Sequence, residues 1–370
     1  MLNIIKNLKE KIKSNRLLLK FLFILYFIYI YLLNINKKNI KCYKKRIGVI
    51  NIHNDQNVGN ILVKFSLYKK LKEFGFDPIM IAKNWYGVNI SFLNRTVKLK
   101  IIKENLYELN KTDYDILILN SDQTWAYYDN KYFYEYAFLK FAENWTIPKF
   151  IYAASMGSDN WFNNKKDEEM GKYLLKNFTG ISLREKGLVK LAEKHLNITP
   201  IFVLDPTFII DKKYYLDEIK NFKRSFKLNE KYLFVYQLDK NILLEKIINE
   251  TIIKYNYKIY KVGTKENDYI ENFIFGINIS SAVITDSYHG TVFSIIFNKS
   301  FISYVNTNRG KDRFDSLIDT FNLSNRILYP INFTNVNISL LFEPLKINHT
   351  LLNELKYLSI NFLKKNLGIL

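Results

Sequence analysis

Cysteine is nearly absent from this chain of 370 residues, and its scarcity excludes a protein stabilised by disulfides and a protein with a Cys/His zinc cluster. The single thiol, Cys42, cannot form an intramolecular disulfide, so a disulfide-stabilised secreted scaffold is excluded and a reducing compartment is indicated. The four histidines (His53, His195, His289 and His349) are scattered, and none belongs to a Cys/His cluster with zinc-ligand spacing. We therefore expect no metal site.

Arginine is also scarce: 8 of the 55 basic residues are arginine, although the net charge is +20. Proteins that bind nucleic acid usually use arginine for bidentate contacts, so we expect no nucleic-acid partner. The hydrophobic content of 48% and the aromatic content of 16% are typical of a globular protein and exclude a disordered one. The length exceeds one typical hydrophobic core and predicts two domains.

The basic charge is concentrated at the N-terminus, where residues 1–46 contain 12 Lys and Arg residues and a single acid, Glu10. Within this region, residues 17–33 contain 16 apolar residues interrupted by Lys20. A helix of that length spans about 25 Å, which is short for a bilayer, and basic residues flank it on both sides. No small-residue cleavage site follows. We predict that residues 1–45 form an arm lying on a membrane surface; a transmembrane span and a helix packed on protein are the alternatives.

From residue 46 onward, short apolar runs alternate with helical patterns, which is typical of a mainly parallel sheet with helices on both faces. A break at Asp205-Pro206, followed by the charged run 211–231, indicates a change of domain. The sequence predicts an α/β fold of two doubly wound domains facing a cleft. The predicted boundaries are 46–215, 216–330 and a helical extension at 331–370, whose helix at 349–367 packs back across the first domain.

The predicted strands and helices support this two-domain α/β fold. The strands are expected at 46–52, 78–82, 115–120, 149–154, 180–183, 201–204, 232–237, 258–262, 282–284 and 301–305. The helices are expected at 57–74, 132–143, 167–178, 186–196, 242–255, 315–321 and 349–367, with a further helix after the strand at 282–284.

Several of the predicted strands end in polar clusters, and carboxyl ends of parallel strands share one edge of a sheet. The clusters are 53–60, 120–125, 153–158, 182–185 and 285–289. Ligands bind at this edge in open α/β folds, so the clusters predict a site that converges across the crevice between the domains.

The cluster at 285–289 joins a buried strand directly to a helix. Asp286 and Ser287 can cap that helix, His289 lies at its start, and Gly290 beside it lets a ligand approach the backbone. Backbone N–H groups at a helix start attract anions. The alternative is a strand–helix junction whose histidine only caps the helix.

Other polar residues also have two interpretations. Gly59 is either a turn glycine or, with Asn60, a helix start that meets an anion. Trp125 is either a core residue or, next to Asp122 and Gln123, a platform for a sugar ring.

The arginines are equally ambiguous. Arg184 is either an ion pair with Glu185 or an anion ligand, and Arg309 and Arg313 are either solvated or part of a phosphate or carboxylate clamp.

Five blocks, in order, resemble the polysaccharide pyruvyl transferase family. They are Ser121-Asp-Gln-Thr-Trp125, Tyr152-Ala-Ala-Ser-Met-Gly157, Ser182-Leu-Arg-Glu185, Asp205-Pro-Thr207 and Thr285-Asp-Ser-Tyr-His-Gly-Thr-Val-Phe293. The first-strand loop ending in Gly59-Asn60 also fits. The resemblance covers about 46 to 326 and implies two Rossmann-like domains in a GT-B-like arrangement. It also implies transfer of a pyruvyl group from phosphoenolpyruvate onto a sugar as a ketal, in exopolysaccharide or cell-envelope synthesis.

The resemblance implies proton transfer by His289 and anion binding by Arg184. Many relatives have Arg-Leu-His where this chain has Ser287-Tyr288-His289, so the arginine expected at position 287 is missing. The full set expected to bind the donor is Arg184, Ser287, Gly290, Arg309, Arg313, Gly59 and Asn60. The set expected to bind the acceptor is Ser121, Asp122, Gln123, Trp125 and Asp286.

The resemblance implies no cofactor other than phosphoenolpyruvate as the donor substrate, and an acceptor that is a glycan or a lipid-linked oligosaccharide. With the arm on the membrane, the expected location is the cytoplasmic face of the inner membrane, with a single N-terminal span as the alternative. A GT-B-like glycosyltransferase that uses a nucleotide sugar and a non-catalytic assembly protein are the competing functions.

Overall fold

The computed structural model describes residues 44–52, 57–83, 90–126, 133–158, 161, 165–222, 230–262 and 269–370. The predictions for the arm at 1–45 therefore lie almost wholly outside the described residues, as does the part of the first polar cluster at 53–56. Residues 45–370 form one compact unit. No helix in the described ranges is long and apolar enough to cross a bilayer.

Two parallel sheets form the framework of this unit. The first sheet contains β1 (Arg46–Asn51), β2 (Asp77–Lys83), β3 (Leu99–Ile102), β4 (Ile116–Leu119), β5 (Lys149–Ala154), β6 (Gly180–Leu183) and β7 (Ile201–Phe202). The second sheet contains β8 (Tyr232–Tyr236), β9 (Lys258–Lys261), β10 (Ala282–Thr285), β11 (Ser300–Tyr304) and β12 (Ile327–Leu328).

Helices follow most of these strands along the chain. They are α1 (Val58–Glu73), α2 (Ile90–Thr96), α3 (Phe133–Ala137), α4 (Lys165–Leu175), α5 (Lys186–Leu196), α6 (Lys212–Ile219), α7 (Ile242–Tyr255), α8 (Tyr269–Ile279), α9 (Tyr288–Ile296), α10 (Asp312–Phe321) and α11 (His349–Leu367). Short 3-10 turns join several of them, including one at Pro206–Phe208.

The strand orders are those of doubly wound folds. The first sheet runs β3-β2-β1-β4-β5-β6-β7 and the second runs β12-β11-β10-β8-β9, and all neighbouring strands in these two orders are parallel. The strand order of the first sheet reverses beside β1, and ligands bind at such a reversal point in this class of fold. The central strands β4, β5 and β10 are buried along their whole length, which explains their almost unbroken apolar sequences.

Asparagine and serine side chains cap the helices that begin at the carboxyl edges. The Asn57 side chain accepts the N–H of Asn60 at 2.9 Å and starts α1. Ser287 accepts the N–H of Gly290 at 3.3 Å and starts α9. Both caps satisfy helix N–H groups that have no partner within the helix, and they fix where each helix begins.

The last helix, α11, packs back against the first sheet, as the sequence predicts. The ring of Phe362 lies 6.1 Å from that of Phe150 and 6.2 Å from that of Tyr152, both on β5. The Ser359 hydroxyl accepts the N–H of Leu204 at 2.9 Å, just beyond β7. The last helix therefore returns to the sheet that contains the first described strand, β1.

Five elements were not predicted: β3, α2, α6, α8 and β12. The predicted helix at 132–143 is also shorter, because Leu139 adopts a left-handed conformation (φ 49°) that ends α3 and separates it from a 3-10 turn at Lys140–Ala142.

Candidate functional site

The carboxyl edges of the two sheets meet at His289. This residue lies in the first turn of α9, directly after β10, and its Nε2 atom lies 3.5 Å from the Oδ2 atom of Asp205, beyond the end of β7. The imidazole is 6% exposed and the Asp205 carboxylate is fully buried. Loops from both sheets thus meet around one histidine, which is the convergence that the polar clusters predict.

Gly59, the second residue of α1, packs directly against the imidazole. A Cβ atom placed on Gly59 would lie 1.8 Å from Nδ1 and 2.3 Å from Cγ of His289. No side chain fits there, so the absence of one at position 59 permits this contact between the first and second sheets. The N–H of Asn60 is already bonded to Asn57, and the observed role of this helix start is therefore to pack against His289.

Arg184 lies at the centre of a buried ionic cluster. Its guanidinium donates to Asp205 at 2.5 Å, to Asp122 at 3.2 Å and to Glu185 at 3.4 Å, and its side chain is 1% exposed. Its Nη1 atom also donates to the Ser121 hydroxyl at 3.3 Å. The arginine to which the resemblance assigns donor binding is therefore already hydrogen-bonded to three carboxylates and a hydroxyl.

Opposing effects set the protonation of this cluster. Burial alone would lower the pKa of Arg184, but the carboxylate of Asp205 and the other nearby negative groups outweigh burial and raise it. Burial likewise would raise the pKa of Asp205, but the Arg184 guanidinium and the hydrogen bonds to the carboxylate hold it well below its usual range. Both groups are therefore charged at neutral pH.

The Tyr288 ring contacts two guanidinium groups. The Cζ atom of Arg184 lies 5.0 Å from the centre of the Tyr288 ring, and that of Arg313 lies 5.1 Å from it. Both distances are typical of cation–π contacts. One aromatic ring therefore contacts two like charges in a site with little exposure to solvent, since Arg313 is 8% exposed.

Arg313 differs from the other two arginines of the predicted site. It donates to the backbone oxygens of Arg309 and Gly310, and no carboxylate forms an ion pair with it in the part of the chain that the structure describes. Burial, followed by the nearby Arg184, lowers its pKa. Arg309, by contrast, is 45% exposed and forms an ion pair with Asp239 at 2.5 Å.

The other residues at the start of α9 have structural contacts. Ser287 caps the helix, and a Cβ on Gly290 would lie 2.3 Å from the Thr285 hydroxyl. The Asp286 carboxylate accepts the N–H groups of Leu238 (2.7 Å) and Asp239 (3.0 Å), and burial raises its pKa. Asp286 thus holds the loop after β8, and its predicted contact with an acceptor stays a prediction.

The backbone of the first half is strained beside the ionic cluster. Asp122 has φ 103° and Ala153 has φ 54°, two values that residues other than glycine seldom adopt. The Asp122 side chain accepts from Asn60 (2.7 Å) as well as Arg184, which holds it in place. Strain of this kind is often found at functional sites, and Asp122 belongs to the predicted acceptor set.

Loops of the two halves also meet at Gln123. A Cβ on Gly157 would lie 2.1 Å from Gln123 Nε2, and one on Gly310 would lie 2.8 Å from the Gly157 oxygen. Ser121 donates to the Ala153 oxygen at 2.6 Å. Trp125 is 1% exposed and donates its indole N–H to Ala137 at 3.1 Å, so it is a core residue and the structure gives no support to its role as a sugar platform.

Sequence reasoning assigned no role to Asp205 or Tyr288, and it considered Glu185 only as an ion-pair partner of Arg184, a contact that the structure contains at 3.4 Å. The signal for Asp205 is its place in the Asp-Pro-Thr block, where its carboxylate caps a 3-10 turn. Among the described residues, no group of three or more His, Cys, Asp or Glu side chains is arranged to hold a metal ion.

The arrangement combines an imidazole that can carry a proton with the buried Arg313, which forms no ion pair with any carboxylate of the described residues. The first group suits acid–base chemistry and the second suits an anion.

Comparison with known proteins agrees with this geometry. The model of the polysaccharide pyruvyl transferase family matches residues 57–308. The matched range begins at the cap of α1 and includes Arg184, Asp205 and His289. A sequence search of curated proteins found no match.

Solved structures show the same fold at low identity. S. aureus MnaA bound to UDP has a TM-score of 0.54 at 12% identity, over 88% of this chain and 98% of that one. Arabidopsis thaliana UGT89C1 complexed with UDP-L-rhamnose has a TM-score of 0.52 at 9% identity, over 89% and 100%. Anabaena HepE in complex with UDP and glucose has a TM-score of 0.50 at 8% identity, over 88% and 98%. The fold is thus GT-B-like, with two Rossmann-like halves.

Proposed function

Because this chain belongs to the polysaccharide pyruvyl transferase family, we propose that it moves a pyruvyl group from phosphoenolpyruvate onto two hydroxyls of a sugar, as a ketal. The observation that carries the proposal is the contact of His289 with Asp205 and Gly59 at the meeting edge of the two sheets. This contact joins an imidazole to an arginine-containing cluster, which is the pairing that the donor chemistry requires.

Phosphoenolpyruvate has a carboxylate, a phosphate and a carbon–carbon double bond. Protonation of its methylene carbon by His289 forms a C–H bond from the electrons of the double bond and leaves an oxocarbenium-like centre. A sugar hydroxyl attacks that centre and its proton returns to the imidazole. Phosphate then leaves with the electrons of its C–O bond, a second hydroxyl attacks the centre so formed to close the ketal, and the proton of that hydroxyl goes to the departing phosphate.

Arg313 is the residue best suited to hold the donor anion. It is buried at the site, no carboxylate forms an ion pair with it in the described ranges, and Tyr288 holds one face of its guanidinium. Arg184 already binds three carboxylates and Arg309 is paired with Asp239. We therefore propose Arg313 as the substitute for the arginine that is missing at position 287.

The reaction is tested with purified full-length protein, phosphoenolpyruvate and a panel of sugar acceptors, including lipid-linked ones. A product heavier than the acceptor by pyruvate less water, together with release of phosphate, supports the proposal. His289→Gln should abolish that product while the protein stays folded. Normal turnover in this variant would exclude His289 as the acid.

The donor contact has its own test. Arg313→Met should raise the KM for phosphoenolpyruvate about 10- to 100-fold, because a hydrogen bond to a charged group contributes about 1.5–3 kcal/mol. Lys311→Met removes the same charge from a side chain 39% exposed and paired with Asp315, and is the matched control. Equal effects of the two variants on the KM would show that the overall positive charge of this region attracts the donor, without a specific contact from Arg313.

A GT-B-like glycosyltransferase is the second candidate. The observation that favours it is Ser287, which caps α9 and supplies no cation where many pyruvylating relatives have arginine. Calorimetry separates the two functions, because phosphoenolpyruvate binds a pyruvyl transferase and a nucleotide sugar binds a glycosyltransferase.

We also propose that the acceptor is lipid-linked, since residues 1–45 combine an apolar run with a strong positive charge. Sedimentation of the full chain with anionic vesicles, weakening as salt rises, tests this placement. Equal sedimentation with uncharged vesicles would exclude an electrostatic contribution.

A further inference from the structure

We propose that Asp205 is the positioning residue for His289: its carboxylate holds the imidazole proton on Nε2, so that Nδ1 is the nitrogen that exchanges protons with the substrate. The inference concerns a residue to which neither the family match nor the predicted site assigns a role. It depends on four features: a fixed carboxylate, a buried nitrogen facing it, the neighbours of the imidazole and the missing side chain at Gly59.

The Asp205 carboxylate is fixed on both oxygens. Oδ1 accepts the N–H of Thr207 at 2.9 Å and its hydroxyl at 2.7 Å, within the turn that begins at Asp205. Oδ2 accepts from Arg184 at 2.5 Å. Burial would raise the pKa of Asp205, but Arg184 and the hydrogen bonds hold it well below its usual range. The group is therefore a permanent acceptor that cannot turn away.

The Nε2 atom of His289 faces that acceptor. It lies 3.5 Å from Oδ2, slightly beyond a well-formed hydrogen bond, and it has no hydrogen-bond partner in the part of the chain that the structure describes. A lone pair on Nε2 would face a carboxylate and repel it, whereas an N–H there is attracted. In a neutral imidazole, the partner of one nitrogen decides which nitrogen carries the proton. Asp205 therefore favours the proton on Nε2.

The other neighbours of the imidazole do not compete for this role. Arg184 reaches the same Oδ2 atom from the first sheet, and the Tyr288 ring lies 5.0 Å away, edge-on, in α9. Asp122 and Glu185 join the cluster through Arg184. Of the described carboxylates, Asp205 is the one that forms an ion pair with His289.

One face of the ring packs on Gly59. A Cβ on Gly59 would lie 1.8 Å from Nδ1, 2.3 Å from Cγ and 2.4 Å from Cε1, which places it over the ring face and outside the plane in which Nδ1 carries its lone pair. The close approach of α1 that glycine permits therefore holds the plane of the imidazole. With Nε2 facing Asp205, Nδ1 is the ring nitrogen left to exchange protons with the substrate.

The consequence for catalysis rests on the proposed function. In the imidazolium form of His289 both ring nitrogens carry a proton. The Nδ1–H bond breaks as the methylene carbon of the donor takes the proton, the electron pair of that bond stays on Nδ1, and the resulting neutral imidazole keeps its proton on Nε2. Nδ1 then takes the proton from the attacking sugar hydroxyl. Asp205 neither gains nor loses a proton in either step, so it acts through His289 and is not itself a catalytic residue.

Nitrogen NMR of the full-length protein tests the proposal without any substrate. The chain has four histidines, so a ¹⁵N-labelled sample gives four imidazole patterns, and His289→Gln identifies the one that matters. In the wild-type protein, at a pH where His289 is neutral, we expect its proton on Nε2. A proton on Nδ1 would overturn the proposal, and this measurement requires no destabilising variant.

Asp205→Asn and Glu185→Gln extend the test. Both remove a carboxylate from Arg184, but only Asp205 faces the imidazole. Asp205→Asn should weaken the preference for Nε2 and lower kcat about 100-fold or more, the usual contribution of a positioned acid or base. Glu185→Gln should leave the tautomer unchanged. The same tautomer in all three proteins would overturn the proposal, whereas absence of pyruvyl transfer by the wild type would refute the proposed function alone.

Discussion

Replacement of Gly59 by alanine is the most direct test of the contact between the two sheets. The new Cβ atom would lie 1.8 Å from Nδ1, 2.3 Å from Cγ and 2.4 Å from Cε1 of His289. Non-bonded atoms prefer a separation of about 3.5–4.0 Å, so the imidazole or α1 must move by more than about 1 Å. A movement of that size changes the 3.5 Å separation between Nε2 and Asp205.

The magnitude follows from two opposing contributions. Overpacking of a buried contact lowers the free energy of unfolding by about 1–3 kcal/mol, and alanine in place of glycine in a helix raises it by about 0.5–1 kcal/mol. We therefore expect a modest net loss of stability, measured as the free energy of unfolding in urea. Turnover should fall about 100-fold, because a misplacement of about 1 Å in a catalytic group costs that much.

Gly187→Ala is the matched control. Gly187 is the second residue of α5, as Gly59 is of α1, and a Cβ there would have its nearest neighbour 3.9 Å away, at Asp312. This variant should keep wild-type turnover and gain a few tenths of a kcal/mol in stability. Wild-type turnover in Gly59→Ala would refute the reasoning, and an equal loss in both variants would attribute the effect to the helix starts instead of the imidazole.

Three further predictions concern stability. Arg184→Met should destabilise the protein by about 3–5 kcal/mol in denaturant unfolding, because it leaves three buried carboxylates without a counter-charge; a loss below about 1 kcal/mol would contradict the cluster. The depressed pKa of Asp205 means that its stabilisation is complete above the unfolded value, about 3.9, and is lost as pH falls toward the folded value. Asp205→Asn should therefore destabilise strongly at pH 7 and progressively less below about pH 4; a constant difference between the two proteins would disprove this linkage. Phe362→Ala should cost about 3–5 kcal/mol, whereas Tyr357→Ala, 65% exposed on the same helix, should cost less than about 0.5 kcal/mol in the same assay.

The sequence predicts the elements best where apolar periodicity and end signals agree. The bounds of β5, β6, α5, α7 and α11 coincide with the predicted ranges. α8 was missed because Tyr269–Ile279 is apolar on nearly every side and contains Gly276, so no amphipathic pattern marks it. β12 has two residues and gives no periodic signal.

The site could be located from the sequence, but its contacts could not be predicted. The polar clusters indicate the correct edge because parallel strands end on the same side. However, Arg184 bonds to Asp122, which is 62 residues away, and to Asp205, which is 21 residues away. His289 reaches Asp205 from the second sheet. Only the packing of the two halves shows that Arg184 is neutralised and that Asp205 links it to His289.

The return of α11 to the first sheet has a consequence for synthesis of the chain. Ser359 bonds to Leu204, a residue that leaves the ribosome 155 residues earlier. At a translation rate of about 5–20 residues per second, Leu204 waits about 8–30 s for Ser359, and the surface around Phe150 and Tyr152, which is synthesised earlier, waits longer for the helix that covers it. The early half of the nascent chain therefore exposes an aromatic surface throughout that interval, when chaperones can bind it and when premature termination before position 349 would leave it uncovered.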